Sequence, residues 1–470
     1  MVSALQLGVR GLGVRIIGLA GNVALARLLL PSEFGTVALA LSILAFGTVV
    51  FDGGLGASLM RRPREPTVDE LRNVLAVQLA GALALTTAVA AAGLWLGEAG
   101  TVAAVMMLAL PLIALRGPGV VLLERRLTYG PVAAVEVGEV IAYYGWAVLA
   151  VALGYGVWGL ATASIVKALV GTATLLKLVP GALLRPAVSR QQIRELLGLG
   201  IRIQSVEVLK AARDQAVNLG TFLIAGAATL GLWALAARLL QVPLLLFEAL
   251  WRLSFPALSQ LMAAGEDPRR LMERGVAVVA ATTALVGCVL VCSTPALIPA
   301  VFGARWEDAA GAVALTCLGL QISGPISAVA SGYIFASDQA GILVRNAVAQ
   351  AVVWLAISLP LLPSLGVTAL GVGYVGLGIA EAVVLCRAAR RMAGARLERP
   401  LLLPVAIALP VSVAGWIATS ALAPTLAAAA GGALLGATLY AGLLFALQRS
   451  LFRDMVRMAR QAGRKAAAAP

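Results

Sequence analysis

Apolar stretches of about twenty residues, separated by short breaks, recur along almost the whole of this chain. Each is long enough to cross the hydrocarbon layer of a bilayer as a helix, which satisfies its own backbone hydrogen bonds where no water can. The approximate spans are 8–28, 35–59, 73–96, 101–121, 131–153, 157–178, 199–224, 229–258, 275–297, 309–335, 342–363, 366–388, 401–421 and 427–448. That makes about fourteen, a number read from length and hydropathy. Only 12% of the residues are charged and mean hydropathy is +0.95, whereas soluble domains carry about 25% charged residues. The fold class expected is an all-α polytopic membrane protein.

The net charge of +14 would suggest nucleic acid in a soluble chain. Its distribution argues otherwise. Arg61, Arg62, Arg64 and Arg72 follow the second span, Arg125 and Arg126 the fourth, and Arg185, Arg190 and Arg194 the sixth. Arg269, Arg270 and Arg274 follow the eighth, Arg387 to Arg399 the twelfth, and a basic tail the last. The alternate loops hold little beyond Arg27, Glu98 and Arg305. This is the positive-inside pattern with both termini cytoplasmic, and it accounts for the charge without nucleic acid. At the start of the chain, no small-residue cleavage site follows a short apolar core, so an uncleaved first span is expected.

The chain also echoes itself. Gly11-Leu12-Gly13-Val14-Arg15-Ile16 returns as Gly198-Leu199-Gly200-Ile201-Arg202-Ile203, opening spans one and seven. Gly35-Thr36-Val37-Ala38-Leu39-Ala40 returns as Gly231-Leu232-Trp233-Ala234-Leu235-Ala236, opening spans two and eight. Gly156-Val157 and Gly366-Val367 each precede a sixth span. Copies separated by six spans enter the membrane from the same side, a parallel-repeat transporter plan in which the substrate path runs between the halves. The expected division is residues 1–180 for the first six helices, 181–198 for a cytoplasmic connector and 199–394 for the second six. Two further helices over 395–450 and a basic tail over 451–470 complete it. Within the connector, Ser189 is a candidate N-cap for an amphipathic surface helix.

Histidine is absent, which removes the commonest transition-metal ligand and the usual proton shuttle. Cys288, Cys292, Cys317 and Cys386 lie in apolar segments without metal-ligand spacing and read as small core residues. The chain shows no nucleotide-binding or hydrolase motif and no loop large enough for a soluble catalytic domain. No enzyme activity, metal or cofactor is expected.

What carries chemistry is charge at membrane depth, which costs roughly 2.5–3.5 kcal/mol per group on the insertion scale and so faces a partner or a wet cavity. Span seven is the extreme case. Glu207, Lys210, Asp214 and Asn218 form one helical stripe, with Arg202 and Arg213 on an adjacent one. Arg15, Lys167, Arg202, Lys210, Arg213 and Arg238 are the candidates for a cationic cavity, with Arg252 near the inner ends. Arg suits phosphate, and pyrophosphate especially, through bidentate hydrogen bonds. Snorkelling to headgroups is the competing reading of Arg15 and Arg202. Lys167, mid-span, needs a cavity or a carboxylate partner. Asp52, Glu136, Glu139, Glu207, Asp214 and Glu248 are candidates for ion coupling or for internal ion pairs, beside Glu381. Glu136 and Glu139 are spaced to share a helix face.

Residues 26–35, Ala-Arg-Leu-Leu-Leu-Pro-Ser-Glu-Phe-Gly, followed by Ala38-Leu39, resemble the opening of bacterial polysaccharide flippases of the Wzx O-antigen and teichuronic-acid type. These sit in the superfamily that also holds multidrug exporters and the lipid II flippase. Phe51-Asp52-Gly53-Gly54-Leu55-Gly56-Ala57-Ser58-Leu59 is similar to the segment closing that family's second span. Arg213-Asp214-Gln215 with Asn218, Gly231 to Ala236, Phe255 to Ser259, and Trp306 before span ten add to the likeness, which covers about residues 10–390. Many relatives carry an acidic residue near the position of Asn218, and this chain has Asp214 instead.

The resemblance implies a protein of the bacterial cytoplasmic membrane that moves an undecaprenyl-pyrophosphate-linked oligosaccharide from the inner to the outer leaflet by alternating access. It implies antiport of H+ or Na+ and, as partners, membrane lipids and the polysaccharide polymerase machinery. Fourteen spans suit this branch better than the usually twelve-span multidrug branch. A small-molecule cation antiporter on the same scaffold is the alternative, and it predicts mainly acidic lining charges. A membrane glycan ligase or polymerase would need a larger outer loop than the stretch around Pro295–Asp308.

Overall fold

The computed structural model describes residues 2–60, 64–95, 97–179, 181, 184–241, 243–244, 267–337, 339–449, 451 and 453. Every regular element among them is helical. In chain order these are α1 (Val2–Leu28), α2 (Pro31–Asp52), α3 (Leu55–Met60), α4 (Val68–Gly93), α5 (Gly97–Met107), α6 (Ala109–Arg125), α7 (Tyr129–Ala152), α8 (Gly156–Leu178) and α9 (Arg190–Leu239). They are followed by α10 (Arg269–Phe302), α11 (Ala309–Ala336), α12 (Ala340–Leu365), α13 (Thr368–Ala393), α14 (Glu398–Ser420) and α15 (Leu426–Leu447).

Among the described residues 12 helical stretches are long and apolar enough to cross a membrane, and Ile16–Leu28 is a shorter apolar helix. The difference from about fourteen has two local causes. The first expected span is represented by that shorter stretch. The seventh and eighth run together as Gln204–Leu239, broken at Gly226, whose φ of 83° interrupts the helix. Half of the expected eighth span, with Glu248 and Arg252, lies outside the described residues, as does the basic tail after 453.

Helix ends follow from local chemistry. At the start of α4 the Thr67 hydroxyl accepts from the Glu70 N–H while the Glu70 carboxylate accepts from the Thr67 N–H, a reciprocal cap. Between α2 and α3 the chain turns at Gly53 and Gly54, with φ of 55° and 73°, a left-handed pair that residues with a Cβ adopt at a cost. In the loop before α4, a hydrogen bond and the charge of Arg126, 2.9 Å from Glu65, hold the Glu65 carboxyl below the ordinary carboxylate range.

By backbone proximity the chain divides into two compact units, Met1–Gly231 and Leu232–Pro470. In the first unit α7 packs along α8 and α1, α4 along α5 and α6, and α2 beside α5 and α4. The N-terminal part of α9 belongs to this unit because glycines let its backbone meet that of α2. Gly200 lies against Gly53 and Gly54, and Gly231 lies against Pro31 and Gly35. A Cβ on Gly35 would run into the Ala227 carbonyl. The two glycines that open the echoed segments of spans two and eight therefore touch each other.

The expected surface helix after Ser189 forms the first turns of α9, continuous with span seven. Its approach is clamped by Asn73, buried on α4. The Asn73 side chain donates to Gln192 Oε1 at 2.6 Å and to the Asp69 carbonyl at 2.8 Å, and it accepts from the Ser189 N–H at 2.6 Å.

In the second unit α11 packs on α13, α12 on α13, and α10 on α11, α14 and α15. Gly415 of α14 and Gly432 and Gly436 of α15 meet Cys288 and Cys292 of α10. Cys288, Cys292 and Cys317 are free thiols buried as small core residues, and Cys386 is half-buried. Trp306 is fully buried in a short turn before α11.

Candidate transport site

Each unit holds its own charged and polar side chains at membrane depth. In the first unit α7 places Glu139 inward and Glu136 outward, so the three-residue spacing separates them by burial even though they are neighbours along the helix. Glu139 accepts from Arg116 Nη1 of α6 at 2.5 Å; the Glu139 side chain is buried and that of Arg116 is 14% exposed. Gly171 of α8 leaves the room for this pair, since a Cβ there would strike both groups. Glu139 is thus seated in an ion pair. The sequence reasoning missed Arg116. The available signal was a guanidinium in the middle of an apolar segment, beside a helix with a mid-span carboxylate.

Lys167, one turn before Gly171 on α8, is exposed, and among the described residues it makes no ion pair. On α9 two of the cationic candidates, Lys210 and Arg213, are engaged locally. Lys210 Nζ lies 2.9 Å from Glu207, with 44% and 64% of the side chains exposed. Arg213 meets Asp214 at 2.8 Å, with Arg213 itself mostly buried. These four charges meet two by two along α9. The face of α9 with Gly200, Gln204 and Phe222 turns to α2: Gln204 Nε2 donates to the Val49 carbonyl at 3.0 Å, and Leu219 and Phe222 share an apolar cavity with Leu39 and Ile43. Glu207 and Asp214 are left exposed, and Lys210 half-exposed, on another face. Asn218 is half-buried.

Asp52 sits at the end of α2, where Gln78 Nε2 of α4 donates to it at 2.8 Å and the Gly54 and Gly56 N–H groups also reach it. The side chains of Arg15 and Arg202 lie outside the described residues.

In the second unit Arg238 is half-buried near the end of α9. Glu381 of α13 is buried and accepts from Asn346 Nδ2 of α12 at 3.3 Å. Trp233, Trp354 and Tyr374 stack edge to face at 5.8 and 5.4 Å beside this helix pair. Among the described residues, acidic and cysteine side chains form no cluster able to hold a metal ion.

Residues 24–311 match a family described as polysaccharide biosynthesis protein. Over 322 residues the chain is 27% identical to the succinoglycan biosynthesis transport protein ExoT of Rhizobium meliloti (strain 1021), covering 64% of this chain. The match spans 62% of the length of that relative. Among solved structures, the inward closed conformation of the lipid II flippase MurJ superposes with a TM-score of 0.74 at 13% identity, covering 96% of this chain and all of that one. An inward-facing multidrug resistance MATE family transporter superposes at 0.62 and 15% identity, covering 81% and 95%. At such identities the superpositions establish the fold, a helical transporter fold held in common with MurJ and MATE proteins. With its apolar helices, its repeated glycine openings and this match over more than half its length, the chain belongs to the polysaccharide biosynthesis protein family of multi-pass membrane proteins.

Proposed function

We propose that this protein is a flippase for a lipid-linked oligosaccharide, carrying an undecaprenyl-pyrophosphate glycan from the inner to the outer leaflet of the bacterial cytoplasmic membrane by alternating access. The observation that carries the reading is Lys167. It is an exposed ammonium halfway along a membrane-spanning helix, with no carboxylate paired to it among the described residues. A cation so placed needs an anion or a wet cavity, and a pyrophosphate headgroup supplies the anion. Arg238, Lys210 and Arg213 join it as substrate-contact candidates, the last two by exchanging their present carboxylates for phosphate. Arg15 and Arg202 keep the same assignment. Membership of a polysaccharide biosynthesis family and likeness to a succinoglycan biosynthesis transport protein support this reading.

In this reading the glycan and pyrophosphate cross while the lipid tail stays in the bilayer, and the protein performs no covalent chemistry. Both termini face the cytoplasm, as the Lys/Arg bias requires. The two halves of the repeat move as lobes joined by the 181–198 connector, H+ or Na+ antiport drives the cycle, and a polysaccharide polymerase takes the product. Deleting the gene and analysing lipid-linked glycans tests the proposal. Accumulation of cytoplasm-facing glycan, reversed by the wild-type gene and not by Lys167→Ala, is the expected result. Unchanged glycans together with new sensitivity to cationic drugs would favour an antiporter instead.

A further inference from the structure

In the second unit α13 has five exposed residues, Ile379, Val383, Arg387, Arg390 and Arg391. At 100° per residue they fall within an arc of about 120°, so the whole exposed surface of the helix is one stripe. Along that stripe the chemistry changes once. Ile379 and Val383 are 50% and 40% exposed, and one turn beyond Val383 the arginines begin. The helix is 26 residues long, about 39 Å at 1.5 Å per residue, whereas the hydrocarbon layer is about 30 Å thick. Its basic last turns therefore stand in the headgroup layer while Ile379 and Val383 face lipid chains.

Arginines near other helix ends meet carboxylates: Arg64 meets Glu70, Arg126 meets Glu65 and Arg269 meets Glu273. On α13 there is none to meet. From Thr368 to Gly394 the acidic residue is Glu381, which is buried on the opposite side of the helix and accepts from Asn346. Among the described residues the side chains of Arg387, Arg390 and Arg391 make no ion pair or hydrogen bond. The carbonyls at the end of a helix favour cations in its last turn, which suits Arg390 and Arg391. Arg387 lies further in, where that attraction has faded.

Three guanidiniums on one face can grip a phosphate through paired N–H donors. A free phosphate would use the arginines alone. A phospholipid uses the full stripe, its phosphate at the basic rim and a chain against the apolar residues one and two turns deeper. We infer that the end of α13 is a binding site for an anionic phospholipid of the bilayer. Its phosphate is held by Arg387, Arg390 and Arg391, and one acyl chain runs along Val383 and Ile379. Basic clusters at the ends of membrane helices attract anionic headgroups in this way, each arginine strengthening binding about fivefold.

The site is tested without any glycan and stands apart from the flippase reading. Thermal unfolding of the purified full-length protein in a neutral detergent is followed while phosphatidylglycerol, or phosphatidylcholine with the same chains, is added. Phosphatidylglycerol should raise Tm in a saturable way, as a ligand of the folded state does, and phosphatidylcholine should not. Arg387→Gln, Arg390→Gln and Arg391→Gln should each weaken the apparent affinity about fivefold, and the triple variant should lose the response. Native mass spectrometry, counting bound phosphatidylglycerol, reads the same loss even where a variant's own Tm has moved. The comparison variant replaces Arg185, Arg190 and Arg194 by Gln. These are also exposed arginines, on and before the first turns of α9, and the response should survive their loss. An equal loss in both triple variants would mean diffuse attraction of anionic lipid to basic loops and would overturn the site. So would equal shifts from the two lipids. Inorganic phosphate alone should leave Tm unchanged; a shift matching that of phosphatidylglycerol would assign the arginines to a free anion and overturn the lipid assignment.

Discussion

Glu139 in the first unit and Glu381 in the second are both buried carboxylates in the middle of a membrane-spanning helix, and each faces a neighbouring helix differently. Glu139 is met by a guanidinium at 2.5 Å, whereas Glu381 is met by the Asn346 amide at 3.3 Å. A charge-assisted pair compensates a buried carboxylate far better than a neutral amide does. The first unit therefore holds its carboxylate in a closed structural pair. In the second, the Asn346 amide reaches Glu381 across two helices, and the oxygen of that amide has no hydrogen-bond partner of its own.

Breaking the stronger contact should have the largest effect. Arg116→Leu leaves the Glu139 charge buried and uncompensated, and about 3–5 kcal/mol of stability should be lost, read as a fall in Tm of the purified protein. Replacing both partners, Arg116→Met with Glu139→Met, should recover most of that loss, because the cost lies in the stranded charge. Asn346→Leu removes a neutral donor from Glu381 and should cost about 1–3 kcal/mol in the same assay. Equal losses from Arg116→Leu and Asn346→Leu would erase the contrast between the units.

Smaller effects sharpen the same contrast at the exposed charges. Glu207→Gln should change Tm by no more than about 1 kcal/mol equivalent, since Glu207 and Lys210 form a half-exposed pair within one helix. Lys167→Gln should be nearly neutral for stability, within about 0.5 kcal/mol, yet abolish complementation of the deletion strain. A variant that unfolds like wild type and fails to transport would separate Lys167 from the residues that only hold the fold.

The polar helix read as the start of a second lobe shows what local pattern conveys. Its charges and their spacing were legible. That Glu207 would hold Lys210, and Asp214 would hold Arg213, was open to the sequence only as one possibility among several. Arg116 went unnoticed because one arginine in an apolar run resembles a snorkelling residue until its neighbour is known. Gln78 and Gln204 are ordinary in composition, and their buried oxygens exist only once α2, α4 and α9 are packed.

The amino-acid sequence by itself determined that this chain is a multi-pass helical membrane protein with alternating basic loops and an internal echo. Hydropathy, charge and the glycines that open Gly35 and Gly231 are local properties and need no partner to be read. Tertiary structure alone decided which buried carboxylate meets which donor, where the compact units divide, and that the Gln78 and Gln204 amide oxygens lack hydrogen-bond partners. The reason is geometric. Helical periodicity tells which residues share a face, but the rotation of each helix against its neighbours decides what that face meets.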